Sequence, residues 1–435
     1  SSGITLYPQD NSDIDALLRH ADQAMYQAKL SGKNRYHLFD PSQDKKVIHK
    51  NHKITEIEQA LINNEFTLYC QPKVNMLTGV VFGAEALIRW IHPEKGLIPP
   101  LDFLPLIDGT ELDITIGNWV IKQALEQINT WKTQGITLEI SINISSYHLQ
   151  SKDFFNQLAT ALSKDPTTQA NKLQLEILES SALGDLNTIS DTMRVCHDQL
   201  GINFALDDFG TGYSSLTHIR NLPVNTIKID QEFVKKVLSD ADDFSIIDGT
   251  IGLANAFNRE LIAEGVETTE VGSMLQLMGC EQAQGYGIAK PMPAKQFPKW
   301  ISTYQPNKEW ISYNKLEHSK QQQRVMQYHL IAQYCHKQFT SLIQADTSHN
   351  TVWPTMDTSR CHCGVWISRA EQQSLFEPVW LKLLQQTHIQ YHVIAQDLQR
   401  QYQQNNIDKA REGLVQLTHE FNNMLALLEQ VITNK

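Results

Sequence analysis

Between residues 56 and 300, short apolar runs rich in β-branched residues alternate with longer amphipathic stretches. The runs include Phe66–Cys70, Leu138–Ile142, Leu173–Leu178, Ile202–Leu206, Thr226–Ile229 and Glu260–Ala263. Strand and helix patterns that alternate this often predict a parallel α/β fold, and the length suits a (β/α)8 TIM-like barrel over residues 56–302. The flanks read differently. Residues 1–40 open in mid-strand, turn at Pro8-Gln9-Asp10-Asn11-Ser12, and continue as a helix with Leu17, Leu18, Ala21, Met25 and Ala28 at helical spacing, stopped at Gly32. Residues 41–55 form a polar, basic linker. Residues 303–325 are rich in Lys, Gln and Asn and are expected to be a linker helix. From 326 to 435 glycine nearly vanishes, His and Gln rise, and helical periodicity dominates, which predicts a separate helical bundle.

Polar residues close the predicted strands. Asn143 follows Ile140-Ser141-Ile142, Glu176 and Glu179 lie in and after Leu173–Leu178, Asp207 and Asp208 follow Phe204-Ala205-Leu206, and Glu264 follows Leu261-Ile262-Ala263. In a barrel of this kind the strand ends share one mouth, where chemistry is built. Alone, an Asp-Asp pair would read as a turn or a helix cap. Pooled carboxylates repel, and divalent cations resolve the conflict; a set of oxygen ligands favours Mg2+ or Mn2+ over zinc.

The net charge of -11 argues against a DNA or RNA duplex as partner, while a metal-loaded acidic site still accepts an anionic ligand. The six cysteines are scattered and fit a reducing compartment better than a disulfide framework. No apolar run approaches the ~20 residues of a membrane span, and the chain reads as cytoplasmic. It does not begin with Met and reads as a piece of a longer protein, so membrane contact is expected only through segments absent from it.

Glu85-Ala86-Leu87-Ile88-Arg89-Trp90, Asp207-Asp208-Phe209-Gly210-Thr211-Gly212-Tyr213-Ser214-Ser215-Leu216, Ile227-Lys228-Ile229-Asp230, Ala263-Glu264-Gly265-Val266-Glu267-Thr268 and Gln284-Gly285-Tyr286 follow one another in order. In this the chain resembles the EAL domain family. The resemblance implies hydrolysis of cyclic di-GMP to linear pGpG with two Mg2+ or Mn2+ ions, and a barrel whose first strand runs irregularly. It implies that Glu85, Asn143, Glu176 and Asp207 ligate one metal, that Asp207 bridges to a second shared with Asp208, and that Glu264 contacts the metals or their water. It gives Lys228 the place of water-positioning cation and Gln284 the far side of that network. Gln71, Leu87, Arg89 and Asp207 become substrate contacts. Glu179 anchors the loop holding Phe209, Gly210, Thr211 and Gly212, which with Glu267 couples metal binding to a dimer. Leu178 departs from the pattern, since many EAL domains carry Thr there.

Leu17-Leu18-Arg19, Ala21–Lys29 and Gly32-Lys33-Asn34-Arg35-Tyr36 resemble the end of a GGDEF diguanylate cyclase domain. Lys29 and Lys33 match phosphate-contacting positions, but the metal- and GTP-binding half is missing from this chain, so no cyclase activity is expected. In the tail, His388 and His392 lie four apart on one helix face, the spacing two imidazoles need to grip a metal. Together with Cys361-x-x-Gly364-x-Trp366 they resemble the chemoreceptor zinc-binding (CZB) domain, a four-helix bundle. That resemblance implies one Zn2+ on His336, Cys361, His388 and His392. His329 competes for the first position and Cys363 is the alternative sulfur. A closed tetrahedral set would be structural or sensory, and a homodimer is expected.

Overall fold

A computed structural model describes residues 1–30, 32–164, 170–180, 186–211, 220–313, 318–345 and 353–433. The chain divides into two compact units, residues 1–67 with 88–116, and residues 68–87 with 117–435.

In the first unit, strands β1 (Ser2–Ile4) and β2 (Tyr36–Leu38) pair in parallel. The helix Ile14–Leu30 buries Ala24 and Ala28. Gly3 has no room for a side chain, because an added Cβ would fall 1.9 Å from the Ala21 carbonyl oxygen. The stretch read as a linker from 41 to 55 is the first part of a helix, Pro41–Ile62. Phe66, Trp90 and Phe103 pack together at 5.4–5.8 Å between ring centroids, and the Trp90 indole N–H donates to Glu65 at 2.9 Å.

The second unit holds the sheet that carries the site. Its strands come from β3 (Phe66–Asn75, from Leu68 on), β4 (Val81–His92, up to Leu87), β6 (Glu139–Asn143), β7 (Leu173–Leu178), β8 (Asn203–Phe209), β9 (Thr226–Ile229), β10 (Glu260–Ala263) and β11 (Gln282–Ala283), while the short strand β5 (Gly96–Ile98) belongs to the first unit. Neighbours run in the order β3, β11, β10, β9, β8, β7, β6, β4, and a β3–β4 pairing closes the ring into an eight-stranded barrel. The ladders from β4 round to β11 are parallel, whereas β3 is antiparallel to β11. The expected TIM-like architecture and its irregular first strand are therefore both present. Ile140, Ile142, Leu173, Leu175, Phe204, Ile227 and Ile229 are essentially inaccessible, as expected for parallel strands covered on both faces.

Residues 303–325, expected as a single linker helix, divide differently. A short helix Lys308–Tyr313 seats Trp310 over Gly272 of the barrel helix Thr269–Met278, where an added Cβ would meet the indole at 2.5 Å. The indole N–H donates to the Thr269 carbonyl at 2.9 Å. The bundle begins at Lys320, with a reciprocal capping box between Ser319 and Gln322. Polar composition concealed both features, since one tryptophan carries the first contact and one Ser-x-x-Gln spacing carries the second. The bundle helices among the described residues are Lys320–Gln344, His362–Gln372, Pro378–Gln403 and Ile407–Thr433, with Tyr328, Ile331, Phe339, Leu384, Leu417 and Leu428 inside. Among the described residues no helix is long and apolar enough to cross a membrane.

Candidate active site and a second candidate metal site

Parallel register sets the strand-end side chains level. Asn143 lies opposite Glu176, Leu178 opposite Asp207, and Lys228 opposite Ile262. The Lys228 ammonium, wholly buried, is surrounded by Glu264 at 2.6 Å, Glu176 at 2.7 Å, Asp207 at 3.0 Å and Glu85 at 3.5 Å. Glu85 also accepts from Asn143 at 2.8 Å and from Gln284 at 2.5 Å. Gln284 reaches on to Gln71 at 3.1 Å, and Gln71 donates to the Ala289 carbonyl at 3.0 Å.

Two ligand triads emerge. Carboxylate oxygens of Glu85, Glu176 and Asp207 lie within 4.8 Å of one another, and so do those of Asp207, Asp208 and Glu264. Asp207 is common to both. One local irregularity makes this possible. Consecutive residues of a regular strand point to opposite faces, but the β8–β9 register shifts between Leu206 and Phe209 and Asp208 takes φ = 55°. A side chain in that left-handed region is strained, and here it brings two adjacent carboxylates to one mouth. Glu179 holds the irregular segment by accepting the Gly210 N–H at 2.8 Å, while Thr211 bonds the Asp208 carbonyl at 2.9 Å. Phe209 is buried, and Gly210 has φ = 105°. Glu267 pairs with Lys235 at 3.1 Å. Gly212 lies outside the described residues. Leu87 and Arg89 follow Glu85 at the two-residue period of β4, and the Arg89 guanidinium donates to the Ile88 carbonyl at 2.9 Å. Leu178 is 40% exposed and is no ligand.

The electrostatics fit divalent cations. Five carboxylates face one lysine, and the buried Glu176 Oε1 has no hydrogen-bond partner. Burial pushes Glu176 up from 4.5 to about 7, with Lys228 opposing and Glu85 and Asp207 reinforcing the rise. Burial likewise raises Asp207, Asp208 and Glu264. Glu85 goes the other way, because Lys228, Gln284 and Asn143 outweigh its burial. Burial alone would lower Lys228, but the surrounding carboxylates hold it well above its ordinary value. An acid raised in the folded state favours folding while protonated, so its contribution is complete below 4.5 and is lost as pH rises through about 7. Metal-free protein is therefore expected to melt at progressively lower temperature across that window, and Mg2+ to reverse the loss. Melting curves in chelator that stay level across the window would contradict this.

Sequence reasoning missed the layer beneath the site. Lys73, wholly buried in β3, bonds Glu139 at 3.1 Å and Gln174 at 3.2 Å, and Gln174 bonds Thr226 at 3.1 Å. A lysine amid the apolar residues of a strand was the available signal.

Residues 54–291, more than half of the chain, match the EAL domain family. The chain belongs to the EAL domain family. Residues 1–35 match the diguanylate cyclase GGDEF domain. Among curated relatives, the cyclic di-GMP phosphodiesterase PdeR of Escherichia coli K12 is 36% identical over 304 residues, 70% of this chain and 46% of PdeR. The bifunctional diguanylate cyclase/cyclic di-GMP phosphodiesterase MucR of Pseudomonas aeruginosa is 37% identical over 300 residues, 68% of this chain and 43% of MucR. The chain thus spans less than half the length of either. A solved MucR phosphodiesterase structure, a cyclic di-GMP complex, superposes with a TM-score of 0.54 at 35% identity, covering 57% of this chain and 99% of that one.

Beyond the EAL domain, the bundle brings Cys361, His388 and His392 together, all buried, with ligand atoms within 4.8 Å of one another. The Cys361 sulfur is 3.2 Å from His388 Nε2 and accepts the Gly364 N–H at 3.3 Å. An added Cβ on Gly364 would fall 1.8 Å from the Thr358 carbonyl oxygen, so the Cys-x-x-Gly spacing reflects close backbone packing. His392 Nδ1 bonds the Met356 carbonyl at 3.1 Å, which leaves Nε2 for a ligand. His336 is not in this set. Its ring stacks on Phe421 at 4.1 Å, and Nδ1 meets the Tyr391 hydroxyl at 3.1 Å. Burial lowers the His329 pKa, opposed by the charge of Glu429 on the last helix. The neighbouring Cys335 and burial push the Cys363 thiol well above its ordinary value.

Proposed function

We propose that this chain hydrolyses cyclic di-GMP to linear pGpG. The observation that carries the reading is the pair of oxygen triads sharing Asp207. An anionic phosphodiester would be repelled by five carboxylates unless cations were bound among them. Glu85, Asn143, Glu176 and Asp207 would hold one Mg2+ or Mn2+, and Asp207, Asp208 and Glu264 the other. When bound, these ions neutralise charge on the phosphate and acidify a water. The chain's own residues do the rest. Lys228 keeps a fixed positive charge where the reacting phosphate gains negative charge. Gln284 and Gln71 hold Glu85 in one orientation through their mutual hydrogen bond. By the EAL resemblance, Arg89 and Leu87 would contact the substrate. Glu179, by fixing Gly210, keeps Asp208 in its strained conformation. The test is chromatography of cyclic di-GMP incubated with the full chain and Mg2+ or Mn2+. pGpG is expected, and none in EDTA. Tight nucleotide binding without pGpG would favour a non-catalytic receptor. The GGDEF-like piece is proposed to lack cyclase activity.

The C-terminal bundle is proposed to be a CZB-type domain that binds one Zn2+ through Cys361, His388 and His392, with His336 as fourth ligand. His336 and His392 both neighbour Tyr391, which supports that choice. Zinc occupancy would then bias the barrel between less and more active states, in a homodimer. Metal analysis is expected to find about one zinc per chain in the wild type, and its loss in Cys361→Ser with unchanged helicity. Equal zinc in both would remove the site, and zinc removal without effect on turnover would remove the regulation.

A further inference from the structure

The bundle meets two helices of the barrel: the buried Gln327 donates to the Leu277 carbonyl of Thr269–Met278 at 3.0 Å, and a second set of contacts falls on Ala241–Ala256. Cys361 caps the helix His362–Gln372, and the next residue is a buried histidine turned toward the barrel. His362 Nδ1 lies 3.4 Å from the Leu238 carbonyl, and its ring meets Phe244 edge-on at 5.1 Å. One helical turn further than Val365, Arg369 donates to the Ser245 hydroxyl at 2.6 Å. Arg324 of the first bundle helix faces Asp248 at 3.8 Å. Phe244, Ser245 and Asp248 therefore present one side of the barrel helix to the bundle. Residues Ser239–Asp242 at its start also line, with Cys361, His388 and His392, a cavity of about 530 Å³.

The same helix touches the active-site loop. Around Gly210 there is no slack, since an added Cβ would lie 2.9 Å from the Phe233 ring and 3.3 Å from the Ile246 side chain. Gly210 gives its N–H to Glu179 and stands two residues after Asp208, the strained ligand of the second triad. Ile246 and Gly210 are both half-buried, and a displacement of Ile246 toward the loop would press on the Gly210 backbone.

We propose that helix Ala241–Ala256 transmits the state of the bundle to the barrel, and that His362 and Arg369 are the positioning residues that set the barrel's affinity for its divalent cations. This rests on the reading of the barrel as a metal-dependent site. It specifies what the bundle acts on, which is cation affinity through the segment 208–211.

The test uses the full chain with Arg369→Ala, Ser245→Ala, their combination, and His362→Phe, which keeps a ring against Phe244 but removes the nitrogen. Hydrolysis is followed against Mg2+ concentration. Each variant is expected to move the half-saturating Mg2+ concentration by about fivefold or more, the lower end of typical site couplings, with the KM for cyclic di-GMP at saturating Mg2+ unchanged. Arg369→Ala with Ser245→Ala should shift no further than either alone, because both remove one bond; a general loosening of the fold would add up and raise KM as well. Mn2+ binding without nucleotide is measured in parallel. Unchanged cation dependence in folded, zinc-loaded variants overturns the proposal. Shifted Mn2+ affinity in a chain that makes no pGpG overturns the enzymatic reading and leaves the coupling standing.

Discussion

On the proposed reading, Asp207→Asn is expected to lower cyclic di-GMP hydrolysis by at least about a thousandfold, because one carboxylate would serve both cations. Its oxygens complete a triad with Glu85 and Glu176 and a second with Asp208 and Glu264. The amide keeps the shape and one acceptor, so the Asp208 N–H, now bonded to Asp207 Oδ1 at 3.0 Å, still finds an oxygen. It loses the charge that two cations must share. Melting temperature at saturating nucleotide should change little, whereas Mg2+ should no longer stabilise the protein. Asp208→Asn, which touches one triad, should be milder and partly rescued by high Mn2+. The measurement is turnover against Mn2+ concentration for both variants. An Asp207→Asn enzyme within tenfold of wild type, on the order of 1.4 kcal/mol, would mean that the two triads do not share a metal bridge.

The barrel was legible because its chemistry stands where β-branched runs stop. Leu173–Leu178, Thr226–Ile229 and Glu260–Ala263 are strands with the bounds their apolar residues suggest, and Glu176, Lys228 and Glu264 stand in or just after them. Periodicity reports which face a residue takes and nothing about distant partners. Lys73 bonds Glu139 and Gln174, 66 and 101 residues away, so that network shows no local trace. The left-handed turn at Asp208 is likewise invisible, since aspartate is common in ordinary turns. In the tail, the four-residue spacing of His388 and His392 placed both rings beside Cys361, because a helix fixes that geometry. His336 lies on another helix, where sequence spacing sets no distance. His362 read as one more histidine near a cysteine motif; its burial against Phe244 depends on how the bundle meets the barrel.

Lys228→Met should produce two effects of opposite sign. Turnover is expected to fall by about a hundredfold to a thousandfold, the usual loss when a preorganised charge at a developing anion is removed. Cation binding should tighten. In the metal-free protein the Lys228 ammonium sits 2.6–3.5 Å from Glu264, Glu176, Asp207 and Glu85, where it offsets the charge that divalent ions would otherwise neutralise. Without it, buried carboxylates lose their cation, and breaking such a group from one side costs roughly 3–5 kcal/mol. The metal-free variant should therefore melt well below wild type, and Mg2+ should raise its melting temperature by more than it raises that of wild type. Linkage requires the two to move together, because a ligand that binds only the folded state stabilises it by an amount that grows with the logarithm of its affinity. Calorimetric Mn2+ titration and melting curves with and without Mg2+ read both. Weaker Mn2+ binding in Lys228→Met would mean that the lysine organises the ligands more than it competes with the ions, and turnover near wild type would remove it from the reaction altogether.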